Sequence, residues 1–238
     1  MHTVAPGLRV VVAVVLAGMV FAACGAGVLS RSGSSGLVGS GPALAAARTV
    51  TPSGEATAYL ERLVRTRQFS GSVLVADGGR IVLERGYGWA SAAARVPNTA
   101  TTRFRIGSLT KPFTAMAVLE LENAGRLRLT DHVCRFISEC PAAWGPIMLQ
   151  ELLTHTSGIP DYTTLRSYCR FSRQHLTPAQ IVALVRGRAL LFAPGSRWSY
   201  SNTGYVLLGM VIQRVSGQPY AAYLQQHVLA PLGLHNTG

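Results

Sequence analysis

The apolar segment from Ser108 to Ala124 carries a single proline, Pro112, and that residue fixes how the segment can fold. Inside a helix a proline removes a backbone hydrogen bond and clashes with the preceding turn, whereas in the first turn neither penalty applies. A helix over these residues therefore begins at about Ser108. Gly125 stops it, as glycine does just past a helix end. Positions three apart at a helix start share a face, so Ser108 and Lys111 stand one turn apart on one side. Lys111 is also the only lysine of the chain, every other basic residue being Arg.

A serine at that place has its hydroxyl beside backbone N–H groups that lack helical partners and beside the positive end of the helix dipole. Both favour an attacking alkoxide. A lysine one turn on takes or relays the proton when packed among Phe113, Met116 and their neighbours. An N-capping serine followed by an unrelated lysine fits the same four residues, so the pair alone decides nothing. A second candidate is Trp198-Ser199-Tyr200-Ser201-Asn202-Thr203-Gly204, between Pro194-Gly195 and an apolar helix. In a short extended segment Tyr200 and Asn202 point to one side. There a phenol near an ammonium serves as general base and acid, and an amide both accepts from and donates to a substrate amide. Read alone, the segment is equally a helix-capping loop with Tyr200 in the core and Asn202 as cap.

The surrounding pattern sets these motifs in a fold. Ala56, Leu60, Leu63, Val64 and Phe69 recur at helical intervals over 54–69. The runs 71–76 and 80–85 flank Asp77-Gly78-Gly79 and read as a hairpin. Thr177-Pro178-Ala179-Gln180 is a capping box with proline at the first helical position and opens a helix to about Leu190. Two further helices, 203–215 and 219–229, are separated by Ser216-Gly217. After the hairpin the chain is almost wholly helical.

Taken in this order the motifs resemble those of the penicillin-recognising serine hydrolases: class C β-lactamases, D-Ala-D-Ala carboxypeptidases and related esterases. The resemblance covers about residues 55–238. It is carried by Phe69-Ser70-Gly71-Ser72-Val73, by Phe104-Arg105-Ile106-Gly107-Ser108-Leu109-Thr110-Lys111, by Leu152-Leu153-Thr154-His155-Thr156-Ser157-Gly158-Ile159-Pro160, and by Pro194-Gly195 through Gly204. It implies an α+β fold of the β-lactamase/transpeptidase kind. In that fold a helical lobe accompanies an antiparallel sheet lobe, represented here mainly by the N-terminal helix and hairpin. It implies Ser108 as the acylated nucleophile, Lys111 and Tyr200 as proton shuttles, Asn202 as the residue that orients the substrate, and no cofactor. The Tyr-x-Asn form, in place of the Ser-Asp-Asn of class A enzymes, points to class C and its relatives. His155 with Asp161 suggests a serine–histidine–acid set, but no Gly-x-Ser-x-Gly elbow is present. The resemblance makes His155-Thr156-Ser157-Gly158 a structural loop.

The family's third motif, Lys/His-Ser/Thr-Gly, lies on a strand beside the nucleophile and supplies half of the oxyanion hole. His235-Asn236-Thr237-Gly238 looks like it with one insertion, yet Ala230-Pro231-Leu232-Gly233-Leu234 matches a segment that the family places well before it. The chain is therefore expected to stop short of the complete fold.

Residues 1–9 carry Arg9 and no acid, and 10–22 are apolar, the pattern of an export signal over 1–24. Phe21-Ala22-Ala23-Cys24 resembles a bacterial lipoprotein cleavage box with Cys24 as the lipidated residue; an uncleaved membrane anchor is the competing reading. Gly, Ser and Ala dominate 25–50, a flexible tether ahead of a hydrolase domain over 51–238. The location implied is the cell envelope, through a lipid or signal anchor or by secretion. Cys134 and Cys140 close a loop short enough for a local disulfide, and Cys169 is left free or paired elsewhere.

The net charge of +12 raises nucleic acid as a partner, but the arginines are scattered with no run of four, and export removes that reading. With 48% apolar and 13% charged residues the chain is not a polar disordered one. Neither C-x-x-C nor H-E-x-x-H occurs, so no metal is expected. The function implied is an exported serine hydrolase acting through an acyl-enzyme on a β-lactam, a D-amino-acid peptide or an ester. Its partner is then a small-molecule or peptidoglycan-derived substrate. The alternative is a catalytically silent envelope lipoprotein that binds peptidoglycan or a partner without turnover.

Overall fold

The computed structural model describes residues 10–14 and 52–238, which fall into two units divided after Ile106. The segments expected to be an export signal and a tether, and the expected lipidation site Cys24, lie outside the described residues, except that Val10–Val14 forms a strand, β1.

In the first unit a helix α1 (Pro52–Arg65) lies on the sheet formed by β1, β2 (Gly71–Asp77) and β3 (Arg80–Tyr87), antiparallel in the order β1-β2-β3. Glu55 at the start of α1 and Arg62 and Arg65 at its end complement the helix dipole. Side chains alternate across β2, so Val73 and Val75 face α1 while Leu74 faces out. Phe69, Tyr87 and Leu60 complete this small core. The helix expected over 54–69 stops at Arg65, because Arg67 takes a left-handed conformation (φ 57°) that frees Phe69 to pack with the sheet. The hairpin turns on Gly78 and Gly79, whose φ values of 55° and 79° meet the demand of a two-residue turn matched to strand twist. A second, unforeseen ribbon pairs β4 (Trp89–Ser91) with β5 (Val96–Pro97). Strands of two and three residues, one holding a proline, leave no readable alternation.

The second unit is helical. A 3₁₀ turn at Gly107–Leu109 leads into α2 (Thr110–Asn123), so the helix proper begins two residues later than expected, with Pro112 still in its first turn. There follow α3 (Leu149–Leu153), α4 (Tyr168–Phe171), α5 (Pro178–Ala183), α6 (Asn202–Ser216) and α7 (Tyr220–Leu224). The capping box of Thr177 and Gln180 is present, but α5 ends at Ala183 rather than near Leu190, because the chain tightens into turns that bond three residues back. Likewise α7 widens into a π turn over Gln225–Leu229. Leu207, Leu208, Val211 and Ile212 form one fully buried face of α6, the spine of a core that includes Leu121, Trp144, Ile147, Leu149, Leu152 and Val185. Cys134 and Cys140 are joined by a disulfide, and Cys169 is also disulfide-bonded rather than free. No helix among the described residues is long and apolar enough to cross a membrane.

Candidate active site

All of the chemistry-bearing side chains lie in the helical unit. Ser108, exposed in the 3₁₀ turn ahead of α2, has its Oγ 2.6 Å from the Tyr200 phenol oxygen. Lys111, half-buried one turn on, donates from Nζ to Ser108 Oγ at 3.3 Å and to Asn202 Oδ1 at 2.7 Å. The same ammonium stands over the Tyr200 ring at 4.7 Å and the Tyr205 ring at 5.4 Å, both within cation–π range. The structure thus brings together the four residues that the sequence placed in two segments about 90 positions apart.

Local structure explains the convergence. Ser201 is buried and extended (φ −141°, ψ 116°), and its hydroxyl caps α6 by accepting from Gly204 N–H at 3.4 Å. Asn202 is the first residue of that helix, and Tyr200 precedes the cap, so two residues apart they meet Ser108 and Lys111 from one side. Thr203, fully buried, donates to Pro160 O at 2.8 Å and accepts from Tyr162 N–H at 3.1 Å, which ties the start of α6 to the 160–162 segment.

That tie delivers a residue whose role the sequence did not reveal. Asp161, buried, accepts from Asn202 Nδ2 at 2.9 Å, and Thr163 donates to it from both N–H (3.0 Å) and Oγ1 (2.9 Å). Asn202 is therefore bound at its oxygen by Lys111 and at one N–H by Asp161. The same amide nitrogen also donates to Thr163 Oγ1 at 3.4 Å. The amide expected to orient a substrate mainly links the Lys111 ammonium to a buried carboxylate. The signal available was Asp161 two residues ahead of Thr163, an Asx-turn pattern.

His155 does not pair with Ser108 through a histidine–acid relay. Its Nδ1 accepts from Ser201 N–H at 3.2 Å, and its ring packs on Tyr200 with centroids 4.6 Å apart. Burial first, then the Lys111 charge, hold its pKa below the usual 6.5 against the opposing pull of Asp161. Burial, followed by Tyr200, raises the Tyr205 phenol, which stays neutral and donates to Leu153 O at 3.0 Å. A cavity of about 780 Å3 adjoins the 160–167 segment; Arg166 and Arg188 line it and no acidic residue does. Among the described residues no cluster of His, Cys, Asp and Glu could hold a metal ion.

The arrangement can deprotonate a serine hydroxyl from two sides and return a proton to a leaving group. The chain is also similar to known proteins. The Beta-lactamase family model matches residues 56–238. Penicillin-binding protein 4* of Bacillus subtilis is 35% identical over 179 residues, 74% of this chain and 39% of that protein. An octameric penicillin-binding protein homologue from Pyrococcus abyssi superposes with a TM-score of 0.67 at 34% identity, covering 78% of this chain and 44% of that one. The D-amino acid amidase of Ochrobactrum anthropi superposes with a TM-score of 0.62 at 30% identity, covering 73% and 50%. The chain spans about two fifths of the length of the curated relative just named.

Proposed function

The chain belongs to the Beta-lactamase family, whose relatives are serine hydrolases, and from that premise we propose that it forms an acyl-enzyme through Ser108. The observation that carries this reading is the placement of Ser108 Oγ between Tyr200 Oη at 2.6 Å and Lys111 Nζ at 3.3 Å. Tyr200, acting as a phenolate beside the Lys111 ammonium, takes the proton of Ser108 as Oγ bonds to the carbonyl carbon of an amide, β-lactam or ester and the carbonyl π pair moves onto its oxygen. The Ser108 backbone N–H, within the 3₁₀ turn, is the donor available on this residue for the developing oxyanion. The bond to the leaving nitrogen or oxygen then breaks, and that atom takes the proton held by Tyr200 and Lys111. Water releases the acyl group through the same proton path in reverse.

Two relatives bear on substrate class, one named as a penicillin-binding protein and one as a D-amino acid amidase. A D-amino-acid amide or a peptide ending in a D-residue is accordingly the favoured substrate. Arg166 and Arg188 in the adjoining cavity favour one that carries a carboxylate. Export to the cell envelope belongs to the same proposal. The apolar 10–22 segment and the Cys134–Cys140 disulfide, which an oxidising compartment preserves, support it.

A chromogenic ester and a D-amino-acid anilide test the reading. Turnover that Lys111→Ala reduces at least about a thousandfold supports it. Absence of turnover together with retained muropeptide binding would replace it with the silent binding protein.

A further inference from the structure

The loop after α3 contains a residue that its backbone position does not explain. Thr156 N–H donates to Glu151 O at 2.9 Å and His155 N–H to Leu152 O at 3.4 Å, the paired bonds of a Schellman helix ending. In that ending the residue at His155 is left-handed, and its φ is 60°. Glycine or asparagine is the usual occupant, because a side chain there crowds the backbone. The other non-glycine residues with positive φ, Arg67, Arg95 and Glu139, are exposed. His155 alone among them is turned to the site. A histidine held where glycine is favoured points to a requirement for its side chain.

That requirement is visible in what the residue grips. The His155 carbonyl accepts from Ser199 N–H at 2.9 Å, and its Nδ1 accepts from Ser201 N–H at 3.2 Å. One residue thus holds the backbone on both sides of Tyr200. Its ring meets the Tyr200 ring at 4.6 Å, the Tyr205 ring at 5.2 Å and the edge of Trp198 at 6.1 Å. We propose that His155 is the positioning residue of Tyr200: its carbonyl, Nδ1 and ring together set the phenol oxygen 2.6 Å from Ser108 Oγ. The proposal rests on the reading of Ser108 as nucleophile and adds a residue that touches neither substrate nor the reacting atoms.

The grip requires a lone pair on Nδ1, hence a neutral imidazole with its proton on Nε2. The groups facing it are Lys111, Asp161, Tyr200 and Tyr205, with Trp198 as the uncharged neighbour. Burial and the Lys111 charge keep the ring neutral below its ordinary 6.5. Protonation at lower pH removes the acceptor, releases Ser201 N–H and sets a second cation beside Lys111.

Two substitutions separate this role from packing alone. His155→Gly gives the left-handed position its preferred residue but removes the imidazole. His155→Asn tolerates the same backbone and offers Oδ1 in place of Nδ1 without titrating near neutrality. With a fluorescent penicillin, the acylation rate constant at saturation in His155→Gly falls about a hundredfold, with the half-saturating concentration little changed. His155→Asn restores most of the rate and loses the part of the acid limb that the imidazole governs. Wild-type acylation by His155→Gly, or an Asn variant as slow as the Gly variant, would overturn the proposal.

If the wild-type chain is not acylated, the reading of Ser108 fails, and the positioning claim is still decided by NMR. In tyrosine-labelled protein the Tyr200 ring resonances move in His155→Gly and return in His155→Asn. Unmoved resonances in His155→Gly sink it.

Discussion

In the Gly107–Gly238 unit, α6 buries Leu207, Leu208, Val211 and Ile212 completely, with Trp144, Ile147 and Leu149 equally enclosed. In the preceding unit the buried core is Leu60, Phe69, Val73, Val75 and Tyr87, and β3 leaves Ile81 58% and Val82 38% exposed. The helical unit carries every group of the candidate site. The contrast has a physical reason. Ser108, Lys111, Asp161, Tyr200 and Asn202 come from separated segments, and holding them within hydrogen-bond distance needs elements locked by packing. A thin sheet on one helix does not supply that rigidity.

The contrast can be broken most directly in the two cores. Trp144→Ala is expected to cost about 3–5 kcal/mol by urea denaturation, whereas Ile81→Ala, mostly exposed, costs about 0.5 kcal/mol or less. Comparable losses would mean that the sheet unit is as tightly built as the helical one.

A smaller difference is expected between two left-handed glycines. At Gly158, φ is 75° and an added Cβ would come within 2.3 Å of Phe192 O. At Gly78, φ is 55° and nothing lies within 4 Å. Gly158→Ala should therefore cost about 3 kcal/mol or more and Gly78→Ala about 1 kcal/mol. Equal midpoint shifts would show that the 158 loop yields as freely as the hairpin tip.

The smallest effect is the response to acid. His155 is neutral in the fold and has a lowered pKa, so between 6.5 and that lowered value the unfolded chain binds the proton and the folded chain does not. Stability of the helical unit falls as pH drops through that window and levels off below it. Residues 52–106 contain no histidine, so this contribution is absent from their unit. Hydrogen exchange read separately in the two units checks this, and His155→Asn should flatten the helical unit's response. An unchanged slope in the variant would remove His155 as the cause.

What could be read from the chain was whatever depends on near neighbours. Pro112 fixed the start of a helix to within two residues and with it the Ser108–Lys111 pair. Two-residue spacing placed Tyr200 and Asn202 together, and Asp77-Gly78-Gly79 marked the hairpin. What could not be read depends on segments brought together by packing. Asp161 reaches Asn202 across 41 positions, and His155 reaches Ser201 across 46. The sequence therefore assigned the Asn202 amide to substrate, although Lys111 and Asp161 already engage most of it. It also read His155 as part of a loop, although a Schellman ending occupied by histidine is visible only once φ is known. The ends of α1 and α5 were misplaced because left-handed Arg67 and the tightened turns after Ala183 are tertiary outcomes.

The central claim is that Ser108 is the acylated residue. Intact-mass measurement after incubation with a penicillin, followed by peptide mapping, tests it directly. Acylation at Ser108 adds one acyl mass, located on the peptide that contains Ser108 and absent in Ser108→Ala. No adduct, or one that persists in Ser108→Ala, would contradict it.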